Sequence, residues 1–142
     1  MTPDEILRAL AALEAAWRHD GPAVAALAQR GPGEAALPVL VAEYGDLVLK
    51  SMVALSLGIG GEEEDPEAMA AAAEVMRSDV SLRMCTVLGR SWRSWAADAA
   101  DGAAADIARS VISAILNFTE EADEDDVLPL LTALRAKALE NS

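Results

Sequence analysis

The feature that most constrains the fold is an order of helix signals that occurs twice along the chain. An apolar, helix-like segment ends at Leu57-Gly58-Ile59 and again at Leu116-Asn117-Phe118, and an acidic cluster follows each stop. Glycine and asparagine are the residues that most readily adopt the left-handed conformation just past a helix end. A new apolar helical pattern starts near Pro66 and near Asp125, where carboxylates favour a helix N-terminus. The sequence therefore predicts a helix, an acidic corner and a second helix in two places.

The two acidic corners, residues 62–67 and 120–126, align when the chain is shifted so that Glu62 meets Glu121. The two aligned segments share the order of their helix signals more clearly than they share identical residues. Two pseudo-repeated αα-hairpins are one interpretation. The other is that any two helical hairpins in an all-helical protein show the same order, since repeat proteins usually contain three or more copies.

The composition and the spacing of apolar residues along the rest of the chain also predict helices. Alanine supplies about a fifth of the 142 residues, strand-like alternation is absent, and apolar residues recur at helical spacing. We expect an all-α, single-domain bundle of about seven antiparallel helices that spans residues 1–142. The expected helices cover residues 2–18, 23–29, 34 or 38 to 57, 66–77, 79 or 81 to 100, a sixth through residues 107–116, and 125–139.

Charge and composition limit the classes of partner. The formal net charge is −13, which opposes binding to nucleic acid or to an anionic membrane because both require a positive field. The most apolar stretch, residues 47–60, is interrupted by Lys50 and is too short to span a bilayer. Cys85 is the only cysteine, so no intramolecular disulfide is possible, and the N-terminus lacks a signal-peptide pattern. We expect a cytoplasmic protein.

No catalytic or cofactor motif is evident in the sequence, and we expect a protein that is not an enzyme and holds no cofactor. His19 is the only histidine and follows a predicted helix, where a cation stabilises the C-terminus. Cys85 lies among apolar residues, which favours a small core residue over a reactive thiol. We therefore assign no catalytic residue and no metal site.

One enzymatic alternative stays open. The string formed by Glu120, Glu121 and Glu124 resembles the EExxE sequence with which all-α nucleotide pyrophosphohydrolases hold magnesium, and the pair Asp98 and Asp101 is a loose match to their second acidic pair. The resemblance implies metal-dependent hydrolysis of nucleotides. The chain departs from that family because the acidic pair precedes the string and Glu120 falls at a predicted corner. A second alternative is an acidic inhibitor or DNA mimic that binds a basic partner through the two acidic corners.

The segment from Arg77 to Trp95 is rich in positive charge, in contrast to the acidic corners. It contains four of the 11 basic residues and two of the three tryptophans. Arginine and tryptophan are frequent in binding hot spots, because each buries a large area and keeps a polar group available. The predicted partner-binding residues are Arg83, Arg90, Trp92, Arg93 and Trp95. The alternative is that both tryptophans lie in the core and the arginines pair with the protein's own acidic corners.

These observations favour a non-catalytic protein-interaction or regulatory module of the adaptor or immunity type, acting through an Arg/Trp surface and acidic corners. The expected partner is a protein. A homodimer is one form of this expectation, because a basic helix and acidic corners on one chain are complementary to those of a second copy.

Overall fold

The computed structural model describes residues 1–58, 65–119 and 123–141, and the Met76 side chain is left out of the description. The described residues form seven α-helices and one short 3-10 helix, which confirms the all-α prediction. The helices are α1 (Pro3–Trp17), α2 (Gly21–Ala28), α3 (Leu37–Ser56), α4 (Pro66–Ser78), α5 (Val80–Asp98), α6 (Ala103–Phe118) and α7 (Val127–Glu140), with the 3-10 turn at Glu124–Asp126. Predicted and observed bounds differ by only a few residues.

Polar side chains fix where the helices begin. Thr2 and Glu5 form a reciprocal capping box on α1, with Pro3 at the first helical position. The carboxylates of Asp20, Asp65 and Asp79 accept hydrogen bonds from the first-turn amides of α2, α4 and α5. The acidic residues at these positions are thus helix caps.

The end of α1 is set by His19, which has a left-handed backbone with φ of 53°. Its amide bonds to the carbonyl of Ala16 at 3.2 Å, and the Asp20 amide reaches back to Ala15 at 2.9 Å. This pair of bonds is the Schellman arrangement, in which glycine usually occupies the left-handed position. His19 therefore serves helix termination through its backbone.

The second predicted helix stop needs a correction. Gly58 has a φ of 74° and ends α3 as predicted, but α6 continues through Asn117 to Phe118. Asn117 instead donates a side-chain hydrogen bond to the Ser113 carbonyl at 2.7 Å, as helical asparagines do when they bond back one turn. The two helix–corner–helix units also differ in packing, since α4 lies mainly against α5 and α7 mainly against α1.

Helix α3 is the centre of the fold, with α1, α5 and α6 packed around it. Eleven of its residues are buried, including Leu40, Val41 and Leu49. Gly45 allows α6 to approach closely, because a Cβ there would lie 2.5 Å from Val111 Cγ2. The core takes buried side chains from every α-helix except α4, among the side chains that are described. Helix α4 is therefore peripheral.

Arg8 ties the region around α2 to α1. Its guanidinium donates to the carbonyls of Leu27 at 2.7 and 3.0 Å and of Ala35 at 3.2 Å. These carbonyls lie at the end of α2 and in the loop before α3, where helix geometry leaves acceptors unpaired. The side chain thereby fixes the path between two helices.

Candidate functional site

Helix α5 carries apolar side chains on two opposite faces. The outer face, directed away from the core, consists of Val80, Met84, Val87 and Trp95, with exposed Ser91 between them. The exposed fractions are 68%, 61%, 56% and 45% for the four apolar residues in that order. Their spacing of three, four or eight positions places them along one stripe of the helix. Packing of the protein core does not explain why these exposed positions are apolar.

Arginines line one flank of the outer face. Arg83 and Arg90 are exposed and lie seven positions apart, so they share one side of the stripe. With Arg77 of α4, Thr86 and Val87 they line an open cleft of about 410 Å³. Arg77 pairs with Glu74 at 2.7 Å. Neither the Arg83 nor the Arg90 guanidinium makes a hydrogen bond or ion pair with another residue in the described part of the chain.

The inner face of α5 packs into the core and contains Trp92. This side chain is 2% exposed, and its indole Nε1 donates to Ser110 Oγ on α6 at 2.9 Å. Trp92 and Trp95 differ because residues three positions apart lie about 60° apart around a helix, and the boundary between the two faces falls between them. A buried indole with a satisfied N–H is a structural residue.

A charged cluster around one buried carboxylate joins α5 to α3 on the same inner side. Asp46 is 3% exposed, and its Oδ2 forms an ion pair with Arg93 Nη2 at 2.6 Å and accepts a hydrogen bond from Lys50 Nζ at 3.1 Å. Lys50 Nζ is also 3.1 Å from Oδ1, but that oxygen accepts no hydrogen bond among the described residues. The two cations compensate a carboxylate that would be costly to bury alone. The guanidinium of Arg93 is therefore engaged within the molecule.

Gly89 makes this cluster possible. A Cβ at position 89 would overlap the Asp46 carboxylate, so the backbone of α5 runs directly over the acid. Cys85, one turn earlier, is 1% exposed. Burial, and to a lesser extent the negative charge of Asp46, raises the pKa of its thiol above the ordinary value. Cys85 is thus held in the unreactive thiol form at neutral pH.

The structure separates the five predicted partner-binding residues into two groups. Arg83, Arg90 and Trp95 border or belong to the outer face, whereas Trp92 lies in the core and Arg93 pairs with Asp46. The sequence-based prediction did not include Val80, Met84 and Val87. A signal for them exists, because they form a second apolar stripe on a helix that already carries a complete core stripe.

The residues of the two alternative sites, the magnesium-binding string and the acidic corners, lie partly outside the described residues. Glu120 and Glu121 lie outside the described residues, and Glu124 is an exposed residue of the 3-10 turn. Residues 62–64 and 120–122 of the two acidic corners also lie outside them. Within residues 1–58, 65–119 and 123–141, no group of three or more potential metal ligands is brought together.

A second apolar surface lies between α3 and α7. It is a groove of about 250 Å³, with Tyr44 and Met52 in its lining and the exposed side chains of Leu47 and Leu55 at its edge. Lys137 of α7 supplies a charged group to the lining. Unlike the cleft beside the outer face of α5, this groove has no cluster of arginines in its lining.

None of the helices in the described ranges combines the length and the hydropathy needed to cross a lipid bilayer. No family model, curated protein or solved structure matches this chain.

Proposed function

We propose that the protein is a non-catalytic interaction module that binds a protein partner through the outer face of α5. One observation carries this proposal: α5 already buries a complete apolar face, yet exposes a second one formed by Val80, Met84, Val87 and Trp95. Exposed apolar stripes of this kind commonly mark contact surfaces in proteins that remain in water.

The residue types on and around the outer face support binding. Tryptophan and arginine are enriched at the energetic centres of interfaces, and methionine adapts to different partner surfaces. The inner side of α5 is fixed by the Asp46–Arg93 pair and by Trp92, so the outer face is presented on a rigid element. A rigid surface loses little conformational entropy when a partner binds.

The proposal includes a regulatory or adaptor role in the cytoplasm. The single cysteine supports a reducing setting, because the chain has no pair of thiols that requires oxidation. The buried Cys85 thiol also supports a role through binding instead of through nucleophilic chemistry.

The test is a triple variant of the outer face, M84S/V87S/W95S, used as bait in cells that express the protein naturally. We expect the wild-type chain to retain a discrete partner and the variant to lose it while the far-ultraviolet circular dichroism remains native. The matched control is L47S/L55S, which removes exposed apolar side chains from the groove between α3 and α7. Loss of the partner in the control but not in the triple variant would move the binding surface to that groove.

A further inference from the structure

The outer face of α5 combines an apolar stripe with an arginine flank, and this combination specifies the chemistry of its partner. We propose that the surface binds an acidic amphipathic helix, whose apolar residues cover Val80, Met84, Val87 and Trp95 and whose carboxylates pair with Arg83 and Arg90. This inference rests on the proposed function and adds the partner's chemical class.

Charge complementarity is the first argument. The chain has 24 acidic and 11 basic residues, so a carboxylate partner is available within the chain for most arginines. Arg8, Arg18, Arg77, Arg93, Arg109 and Arg135 each form an ion pair with one. Arg30, Arg83 and Arg90 do not, among the residues described, and of these three Arg83 and Arg90 lie beside the exposed apolar stripe. Arginine pairs with carboxylates through two parallel hydrogen bonds, which makes acidic side chains the natural occupants of the cleft.

The dimensions of the outer face suit a helix. Val80 and Trp95 are 15 positions apart, which corresponds to about 22 Å along the helix axis. A partner helix of about four turns would cover this stripe with one apolar residue per turn. The open cleft of about 410 Å³ beside Val87 then accommodates the acidic flank of that helix.

A second copy of α5 fits this surface poorly. In an antiparallel pair related by a twofold axis, Arg83 and Arg90 would face the same arginine flank of the other copy. Like charges placed opposite each other are unfavourable. In a parallel pair the arginines would meet the other flank, which carries Ser81 and Leu88 and no carboxylate. Neither arrangement places a carboxylate opposite the two guanidinium groups.

The charge of the whole molecule opposes an anionic membrane as the occupant. A basic amphipathic helix face can lie on anionic lipid, but this surface belongs to a chain with a net charge of −13. The two arginines would have to overcome the repulsion between the lipid surface and the remaining charges. A short acidic helix contacts only the outer face of α5 and its arginine flank.

The experiment compares two synthetic helical peptides of about 18 residues that share one apolar face and differ only in Glu or Lys flanks. We expect the Glu-flanked peptide to bind the full chain about tenfold more tightly than the Lys-flanked peptide in isothermal titration calorimetry. Its affinity is expected to fall as the salt concentration rises from about 50 to 500 mM. The charge-reversal variant R83E/R90E is expected to reverse the preference.

The control variant R18E/R30E makes the same change in net charge on exposed residues away from α5, and we expect it to retain the preference for Glu flanks. Equal binding of both peptides, or an unchanged preference in R83E/R90E, would overturn the acidic-helix proposal. So would binding of vesicles that contain anionic phospholipid in place of the peptide, or formation of a dimer by the protein alone that M84S/V87S/W95S abolishes.

The peptide titrations and the bait experiment together distinguish a wrong partner chemistry from a wrong binding surface. If the peptides fail but M84S/V87S/W95S still removes a natural partner, the outer face remains an interaction surface and its occupant has another chemistry. If the triple variant keeps every partner and the peptides fail as well, both proposals are wrong.

Discussion

Gly89 lies where the backbone of α5 crosses the Asp46 side chain of α3. The absence of a side chain at this residue is as important as the charges of Lys50 and Arg93, since a Cβ would occupy the space of the Asp46 carboxylate. The sequence offered no signal for this arrangement. A glycine within a predicted helix indicates a weak position, and only the packing of two helices that are distant in sequence shows why the position must be glycine.

The substitution Gly89→Ala tests this contact. We expect it to lower the free energy of unfolding by about 3 kcal/mol, because the new methyl group displaces a buried carboxylate from its two cations. Urea unfolding followed by circular dichroism measures the change. Gly102→Ala is the control, since a Cβ at Gly102 meets no atom within 4 Å and its φ is −62°. Similar stability of both variants would contradict the close approach.

Tyr44 provides a test of burial through pH. Burial raises the pKa of its phenol from 10.0 to about 12, and its hydroxyl makes no hydrogen bond with another described residue. The unfolded chain ionises near pH 10, so stability is fully present below that pH and is lost as the pH rises toward 12. Tyr44→Phe is expected to remove this part of the alkaline loss and to leave neutral stability nearly unchanged.

Two measurements check the Tyr44 prediction. Tyr44 is the only tyrosine, so phenolate absorbance reports its titration directly. Urea midpoints of wild type and Tyr44→Phe, compared at neutral and at alkaline pH, isolate its contribution because Cys85 is present in both proteins. A phenol that ionises near pH 10 in a chain with native circular dichroism would show that the side chain is accessible.

Some features of the helices could be predicted from the sequence and others could not. The starts of α1, α4 and α5 could be predicted from Thr2, Asp65 and Asp79, because capping is a local interaction. The continuation of α6 through Asn117 could not, since asparagine can either end a helix or bond back to it. The two faces of α5 are visible in its sequence, but which of them is buried depends on α3 and α6.

Helix α4 is expected to be the least stable α-helix of those described. None of its described side chains is buried, and its main neighbour is α5. Its amides should therefore open without disturbing the core. Hydrogen exchange under native conditions is expected to give much lower protection in α4 than in α6, a helix that is also rich in alanine but buries six residues. Equal protection in the two helices would contradict a peripheral α4.

The whole molecule is built around α3, and most of its arginines form ion pairs within the chain, whereas Arg83 and Arg90 lie beside the outer face of α5. The all-helical class followed from the apolar periodicity and from the helix signals. The arrangement of helices did not, because the contacts that define it join distant residues, such as Arg135 with Glu14 and Trp92 with Ser110. For the same reason, the sequence prediction of an Arg/Trp surface included Trp92 and Arg93, which the fold uses internally.

The most direct test of the central claim is a photo-crosslinking scan along α5 in cells that express the protein. A photoreactive residue is placed in turn at 84, 87 and 91 on the outer face, and at the exposed residues Ser113 of α6 and Thr132 of α7 as controls. We predict that one partner is captured from positions 84, 87 and 91 and not from the two controls. Capture from the controls alone, or equally from all five positions, would contradict a docking surface on the outer face of α5.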